Sequence, residues 1–223
     1  YQDAQLSDVF SQWLASDGTI AFSDLVSVQG DMIKQNLVPR LRNDPEYEGV
    51  VPYAYHLDAL KFADFLAADL IKKGVKRTFT HIAKVHRSEQ GFVTRLATTD
   101  QQDLWADLYV DCTGQRAILS RPDDWQSYAD QLLCDRAVTM RIPQRNADYS
   151  PANFTNARAL DSGWAWDIGL RDRRGRGYVY SSAHCDPDHA EAVLRQNETA
   201  DTSDIEARHI AFKSGRRKAP WSG

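Results

Sequence analysis

Long apolar runs are missing from this 223-residue chain. No stretch approaches the ~20 consecutive apolar residues of a membrane-spanning helix, and the polar start Tyr1–Asp8 does not read as a secretory signal. Cysteine is scarce. Cys112, Cys134 and Cys185 are odd in number and widely spaced, which excludes both a disulfide framework and a CxxC metal pair. They read as three reduced thiols of a cytoplasmic protein. The six histidines form no HxxxH or HExxH pair, so no metal site is expected. An excess of positive charge is also lacking. Lys plus Arg number 27 against 31 Asp plus Glu, for a net charge of −4, which argues against a globally basic nucleic-acid binder and leaves only a local basic patch open.

What is present is a chain able to pack. It is 42% hydrophobic, with six Trp, nine Tyr and eight Phe, too aromatic for a polypeptide that stays unfolded. The length suits one large domain or two small ones, at roughly 150 residues per domain.

The first fifty residues carry weak signals. Leu6–Leu14 and Leu25–Leu37 read as helices, the second ended by Pro39, and Arg40–Gly49 reads as a loop. Ala59–Lys73 is clearer. Leu60, Ala63, Ala67, Leu70 and Ile71 recur at helical spacing, Asp58 reads as the N-cap, and Gly74 supplies the stop. The period then changes to two. Val75–His86, Gly91–Thr98 and Leu104–Asp111 read as strands, the first pair joined by the turn Ser88–Gly91. After an irregular stretch around Pro122–Asp130, strands are expected over Ala137–Ile142, Asn156–Leu160, Gly163–Leu170 and Gly177–Ser182. Asp186–Gln196 reads as a helix with Pro187 in its first turn, and Ile205–Lys213 alternates again. The class is α/β: a helix on a sheet, followed by a larger antiparallel sheet.

Three clusters stand out. The strand end Asp111-Cys112-Thr113-Gly114 turns abruptly small, which lets backbone approach a bulky group, since ligands of α/β sheets gather beyond strand carboxyl ends. An ordinary strand-to-turn transition reads equally well there. Gly163-Trp164-Ala165-Trp166-Asp167-Ile168-Gly169 places two indoles on one face of a strand. They are either sheet core or an aromatic wall for a planar ligand. Arg171-Asp172-Arg173-Arg174-Gly175-Arg176 reads as a solvated hairpin tip rather than a phosphate or nucleic-acid site.

Taken in order, these pieces resemble the flavin-dependent halogenases of the tryptophan-halogenase type. The resemblance begins at Pro52-Tyr53-Ala54-Tyr55-His56-Leu57-Asp58-Ala59 and continues through Ala63-Asp64-Phe65-Leu66, Gly74-Val75 and Asp111-Cys112-Thr113-Gly114. It is strongest over Gly163–Ser182, where the family has Gly-Trp-x-Trp-x-Ile-Pro followed by Gly-Tyr-Val-Tyr-Ser-Ser. It persists into Arg208–Arg217, covering roughly residues 50–221. Here Gly169 stands in place of the signature Pro.

The resemblance implies part of a FAD-binding, flavin-monooxygenase-like fold. Residues 1–120 would share in the flavin-binding region, and 121–223 would form the sheet region facing flavin and substrate, all within a single incomplete domain. Residues 1–50 hold only Gly18, Gly30 and Gly49 and no GxGxxG fingerprint. The dinucleotide-binding opening, the C-terminal part, and the catalytic Lys and Glu are therefore expected outside this chain. Lys34 does not match the Lys-containing motif, and the chain alone is expected to be inactive.

The implied chemistry uses reduced FAD (FADH2) from a separate flavin reductase, oxygen and a halide ion to halogenate a small, electron-rich aromatic such as tryptophan or an indole. Trp164, Trp166 and Ile168 would form the wall between flavin and substrate. Ile82 would face the adenine of FAD, and Gly114 would lie near the cofactor. No nucleic acid or membrane is expected as a partner, and a homodimer stays open. The alternatives are a related flavin monooxygenase, or a non-catalytic fragment or binding module.

Overall fold

The computed structural model describes residues 5–120, 124–144, 146, 148–219 and 221. The chain divides into two compact units: Tyr1–Leu57 with Arg141–Arg158 and Trp166–Arg176, and Asp58–Met140 with Ala159–Ala165 and Gly177–Gly223.

The first unit opens with helix α1 (Leu6–Leu14), as its spacing predicts. Phe10 and Trp13 on α1 meet Phe22, with ring centroids 5.4 and 5.5 Å from it. The single helix expected over Leu25–Leu37 is instead two short ones, α2 (Phe22–Val26) and α3 (Gln29–Lys34). The break falls at Ser27, whose backbone is extended and whose hydroxyl accepts the Gln29 amide at 3.1 Å. A serine side chain there competes with the helical ladder. Gly30 lets the two helices close, since a Cβ would fall 2.5 Å from the Asp24 carboxylate. The polar run after Pro39 is a loop, and it is tied down: the Arg40 guanidinium donates to the Asp44 and Pro45 carbonyls at 2.8 Å each.

The second unit starts with α4 (Ala59–Lys72), whose first-turn amides of Leu60 and Lys61 donate to the Asp58 carboxylate. Such a cap contributes ~1 kcal/mol. Gly74 follows in the left-handed region at φ +94°. Strands β1 (Ile82–Arg87), β2 (Val93–Thr98) and β3 (Asp103–Leu104) form an antiparallel sheet. The Ser88–Gly91 turn closes through the Gly91 amide to the Ser88 carbonyl at 2.9 Å. Two expected strands are shorter than the alternation suggests. Residues 75–81 and 105–111 are not strand, and Val75, Phe79, Leu108 and Val110 are exposed. Alternation alone does not supply a ladder partner.

The irregular region begins at Pro122, outside the described residues, and then forms a strand that the sequence did not suggest. β4 (Trp125–Ser127) pairs antiparallel with the C-terminal β10 (Gly215–Arg217). Gly215 is required there, because a Cβ would lie 2.3 Å from the Gln126 carbonyl. The larger sheet has the order β6 (Asn156–Leu160), β7 (Gly163–Gly169), β8 (Arg173–Tyr180), β5 (Arg136–Pro143), β9 (Arg208–Ala211). Val138, Met140, Tyr178 and Tyr180 are fully or nearly fully buried in the second unit. So are Ala190 and Leu194, one turn apart on α5 (Pro187–Gln196). A side chain as large as Leu194 contributes roughly 1.5–3 kcal/mol by burial. Asp186 caps α5 by accepting the His189 amide at 2.9 Å, and Glu191 links α5 to β9 through His209 Nε2 at 2.9 Å.

Candidate functional site

Strand β7 carries the aromatic pair. Trp164 is exposed at 43% of its surface, and Trp166 and Ile168 are half-buried, whereas Ala165 and Gly169 are buried. The alternate positions Trp164, Trp166 and Ile168 thus share the open face of the strand. Trp164 is not core. The backbone beneath is tightly fitted: a Cβ on Gly163 would lie 2.0 Å from the Val179 carbonyl oxygen and 2.9 Å from the Tyr180 Cα. At the other end of the strand, the Tyr149 hydroxyl occupies the place a Gly169 side chain would take, 2.7 Å from its Cβ position.

The arginines that follow are not the solvated tip expected of them. The Leu170 amide donates to the Arg173 carbonyl at 2.8 Å, so only Arg171 and Asp172 remain at the turn, and β8 begins at Arg173. Counting back from that closure sets Asp167 opposite Arg176, with Arg174 two positions along the same face. Asp167 pairs with Arg174, and with Arg176 at 3.7 Å. The Arg176 side chain is only 10% exposed and also donates to the Trp166 carbonyl at 3.5 Å. Like a cross-strand charge pair in any hairpin, this one was visible in the sequence once the turn was placed.

In the second unit, the strand-end signal resolves into a knotted turn. Asp111 Oδ1 accepts the Thr113 amide at 3.0 Å and its hydroxyl at 2.6 Å. Its Oδ2 accepts the Leu119 amide at 2.8 Å. Burial pushes the pKa of Asp111 up, but these bonds and the Arg217 charge outweigh it and hold the carboxyl below its usual value. Sequence reasoning quoted Asp111 in the strand-end motif but gave a role only to Gly114, whereas Asp111 is the residue that holds the turn. Gly114 itself sits at φ +63°, a conformation that favours glycine, with no atom within 4 Å of its Cβ position. Ile82 is half-buried at the start of β1, paired with Thr98. Ile82 and Gly114 lie on separate elements of the second unit.

The first unit contains a hollow of about 590 Å³. It lies between α3, the Tyr53–His56 segment, Pro151–Asn153 and the end of β7 at Gly169–Arg171. The Asn153 side chain donates to the Leu37 carbonyl, and Gln29 Nε2 donates to the Pro52 carbonyl at 3.2 Å. His56 Nε2 and Thr155 Oγ1 are 3.2 Å apart. Lys34 is spoken for: its ammonium pairs with Asp24 at 2.7 Å and Asp31 at 3.6 Å, bracing α2 against α3. Among the described residues no cluster of three metal-ligating side chains occurs, and no helix is long and apolar enough to cross a membrane.

The model of the tryptophan halogenase family matches residues 2–223. The chain belongs to the tryptophan halogenase family. Among relatives, this halogenase-family chain is 35% identical over 173 residues to tryptophan 6-halogenase SttH of Streptomyces toxytricini, covering 76% of this chain and 33% of that protein. It is 33% identical over 208 residues to 7-chloro-L-tryptophan 6-halogenase KtzR of Kutzneria sp. (strain 744), covering 92% and 39%. The crystal structure of SttH matches with a TM-score of 0.84 at 32% identity, over 98% of this chain and 44% of that one. BrvH, a flavin-dependent halogenase from Brevundimonas sp. BAL3, matches with a TM-score of 0.80 at 30% identity, over 96% and 44%. The fold is therefore part of the flavin-halogenase α/β architecture. The chain spans between a third and a half of the length of these relatives.

Proposed function

We propose that the whole protein is a flavin-dependent halogenase acting on an electron-rich, tryptophan- or indole-like aromatic with reduced FAD, oxygen and halide. Family membership supports this, and the observation that carries it is the pair Trp164 and Trp166 on the open face of β7. In this reading Trp164, Trp166 and Ile168 screen the aromatic substrate from the flavin, which suppresses direct oxygenation of the substrate.

Ile82 and Gly114 serve the cofactor. They fit that use, because Gly114 presents backbone with no atom within 4 Å of its Cβ position, so a flat group can approach it. When bound, reduced FAD would activate oxygen, and oxygen would be the oxidant that turns halide into an electrophilic halogen. The chain's own part is to hold geometry. Asp111 fixes the turn that presents Gly114, and Arg176 grips the strand carrying Trp166 through its carbonyl. A separate flavin reductase supplies the reduced flavin, in the cytoplasm. A flavin monooxygenase is the second reading. It is favoured by Gly169, which replaces the signature Pro and admits the Tyr149 hydroxyl instead.

The test uses the full-length protein with Trp164→Phe and Trp166→Phe, measuring melting temperature and product formed with FAD, reductase, NADH, bromide and indole. A lower rate at unchanged stability is expected. Parallel losses in both would make the pair structural, and no change in either would remove it from the site. Oxygenated product whether or not bromide is present would favour the monooxygenase.

A further inference from the structure

Gly169 closes the strand that carries the tryptophan pair, and its backbone does not call for a glycine, because its φ is not positive. What the position needs is the absence of a side chain. A Cβ there would lie 2.7 Å from the Tyr149 hydroxyl oxygen and 3.3 Å from Pro151 Cβ, against the ~3.5–4.0 Å at which carbon atoms pack best. Residues alternate sides along a strand, so the Cβ direction of Gly169 points away from Trp166 and Ile168. Half-buried Tyr149 therefore stands behind the end of β7, with its hydroxyl in the notch that the glycine leaves.

The end of a tyrosine side chain can swing aside where its backbone is loose. Here the backbone is tied on both sides. Before Tyr149, the Gln144 amide donates to the Asp172 carbonyl at 2.9 Å, which fastens the segment to the β7–β8 turn. The Tyr149 amide donates to the Asn146 carbonyl at 3.2 Å, and the Asn146 side chain accepts the Asp148 amide at 2.9 Å. After it, the Asn153 side chain donates to the Leu37 carbonyl. A group added at position 169 therefore has to move the end of β7 or break these ties.

We propose that Tyr149 is a positioning residue, whose hydroxyl, seated against Gly169, sets the end of β7 and with it the stance of Trp166 and Ile168. Tyr149 and Gly169 act as a matched pair in place of the signature proline, whose Cβ would crowd the hydroxyl. The effect on turnover rests on the reading of β7 as the wall between flavin and substrate. The seating itself is read without flavin, NADH or halide, so the two can fail separately.

The test is an exchange between the two positions in the full-length protein. Gly169→Ala adds a methyl group beside the hydroxyl, and Tyr149→Phe removes the hydroxyl and leaves a void. The double variant moves a group of similar size from one partner to the other, and volume-conserving swaps are tolerated best. With the protein labelled by 5-fluorotryptophan, Trp166→Phe assigns the Trp166 resonance in fluorine NMR. Each single variant is expected to shift that resonance and the double variant to return it, while the Trp13 resonance stays in place throughout. Product formed from indole and bromide should fall roughly ten- to hundred-fold in Gly169→Ala, the scale of a misplacement of about 1 Å, and recover in the double variant. Should Gly169→Ala fail to fold, recovery of folding in the double variant reads the same coupling. A Trp166 resonance unmoved by either change, or effects that simply add in the double variant, would overturn the proposal. So would shifted resonances in a protein whose turnover does not change, which would confine the pair to packing. A restored resonance in a protein that never halogenates would sink the proposed function and leave the seating of Tyr149 intact.

Discussion

Arg176 Nη1 lies 3.7 Å from Asp167 Oδ2, and the same carboxylate receives Arg174 Nε at 3.2 Å. One acid thus serves two guanidinium groups on the neighbouring strand. Breaking such an arrangement costs more than making it contributes, because charges taken out of water are left short of a counter-charge. Asp167→Ala is expected to destabilise the protein by about 3 kcal/mol, at the low end for buried pairs because these side chains keep some solvent contact. Urea unfolding checks this. A change under about 0.5 kcal/mol would show the cluster to behave as an ordinary surface pair.

Gly163 makes a sharper case. Its missing side chain is occupied by backbone, with the Val179 carbonyl oxygen 2.0 Å from the Cβ position. Backbone cannot rotate away as a side chain can. Gly163→Ala should therefore cost roughly 3 kcal/mol or more, the upper range for overpacking, and lower the melting temperature accordingly. Gly74→Ala, with open space around its Cβ position but a φ of +94°, should cost less, about 1 kcal/mol of backbone strain.

Acid should unfold the protein through a small set of carboxylates. Asp135 is raised by burial, but the Ser182 amide and hydroxyl and the Arg136 charge outweigh that and hold it below its usual value. Glu191 is lowered by bonds from Arg195 and His209, and Asp111 is lowered as well. Folded values below unfolded ones mean that this stability is present above about pH 4 and is lost as pH falls through the folded values. Unfolding free energy measured between pH 6 and pH 2 should fall in that window, and Asp135→Asn should make the fall shallower.

The three thiols should separate by reactivity. Cys112 is exposed, Cys134 half-buried and Cys185 buried, and burial raises the thiol of both Cys134 and Cys185. Only thiolate attacks a disulfide reagent at speed. At pH 8 the native protein should show one fast-reacting thiol, abolished by Cys112→Ser, with the other two appearing on unfolding. Fast modification of Cys185 in the folded state would contradict the burial.

How far the sequence reveals this structure depends on whether a signal is local. The Asp58 cap, the Gly74 stop, the span of α1 and the limits of β6 are written in neighbouring residues and appear as expected. Val75–Thr80 and Trp105–Val110 have the alternation of strands but find no ladder among the described residues, because pairing belongs to the partner and not to the segment. The β4–β10 pairing was hidden for the same reason: Trp125 and Arg217 carry no mark of each other. At the candidate site, the Trp-x-Trp strand was legible as a motif. The exposure of Trp164, the bonds around Asp111 and the hollow beside Tyr53 arise from segments far apart in the chain, and composition does not announce them.

The division of the chain into units bears on its biosynthesis. The backbone passes from one unit to the other at 57–58, 140–141, 158–159, 165–166 and 176–177. No single proteolytic cut or gene truncation therefore separates them, and neither is built from one continuous stretch. On the ribosome, the first unit is incomplete until residue 176 has emerged. The edge of β4, made by residue 127, waits unpaired until residue 215 follows it out. A nascent chain in that interval exposes an open strand edge, which is the kind of surface that chaperones cover and that aggregation recruits. Slow translation between these two positions would lengthen that exposure.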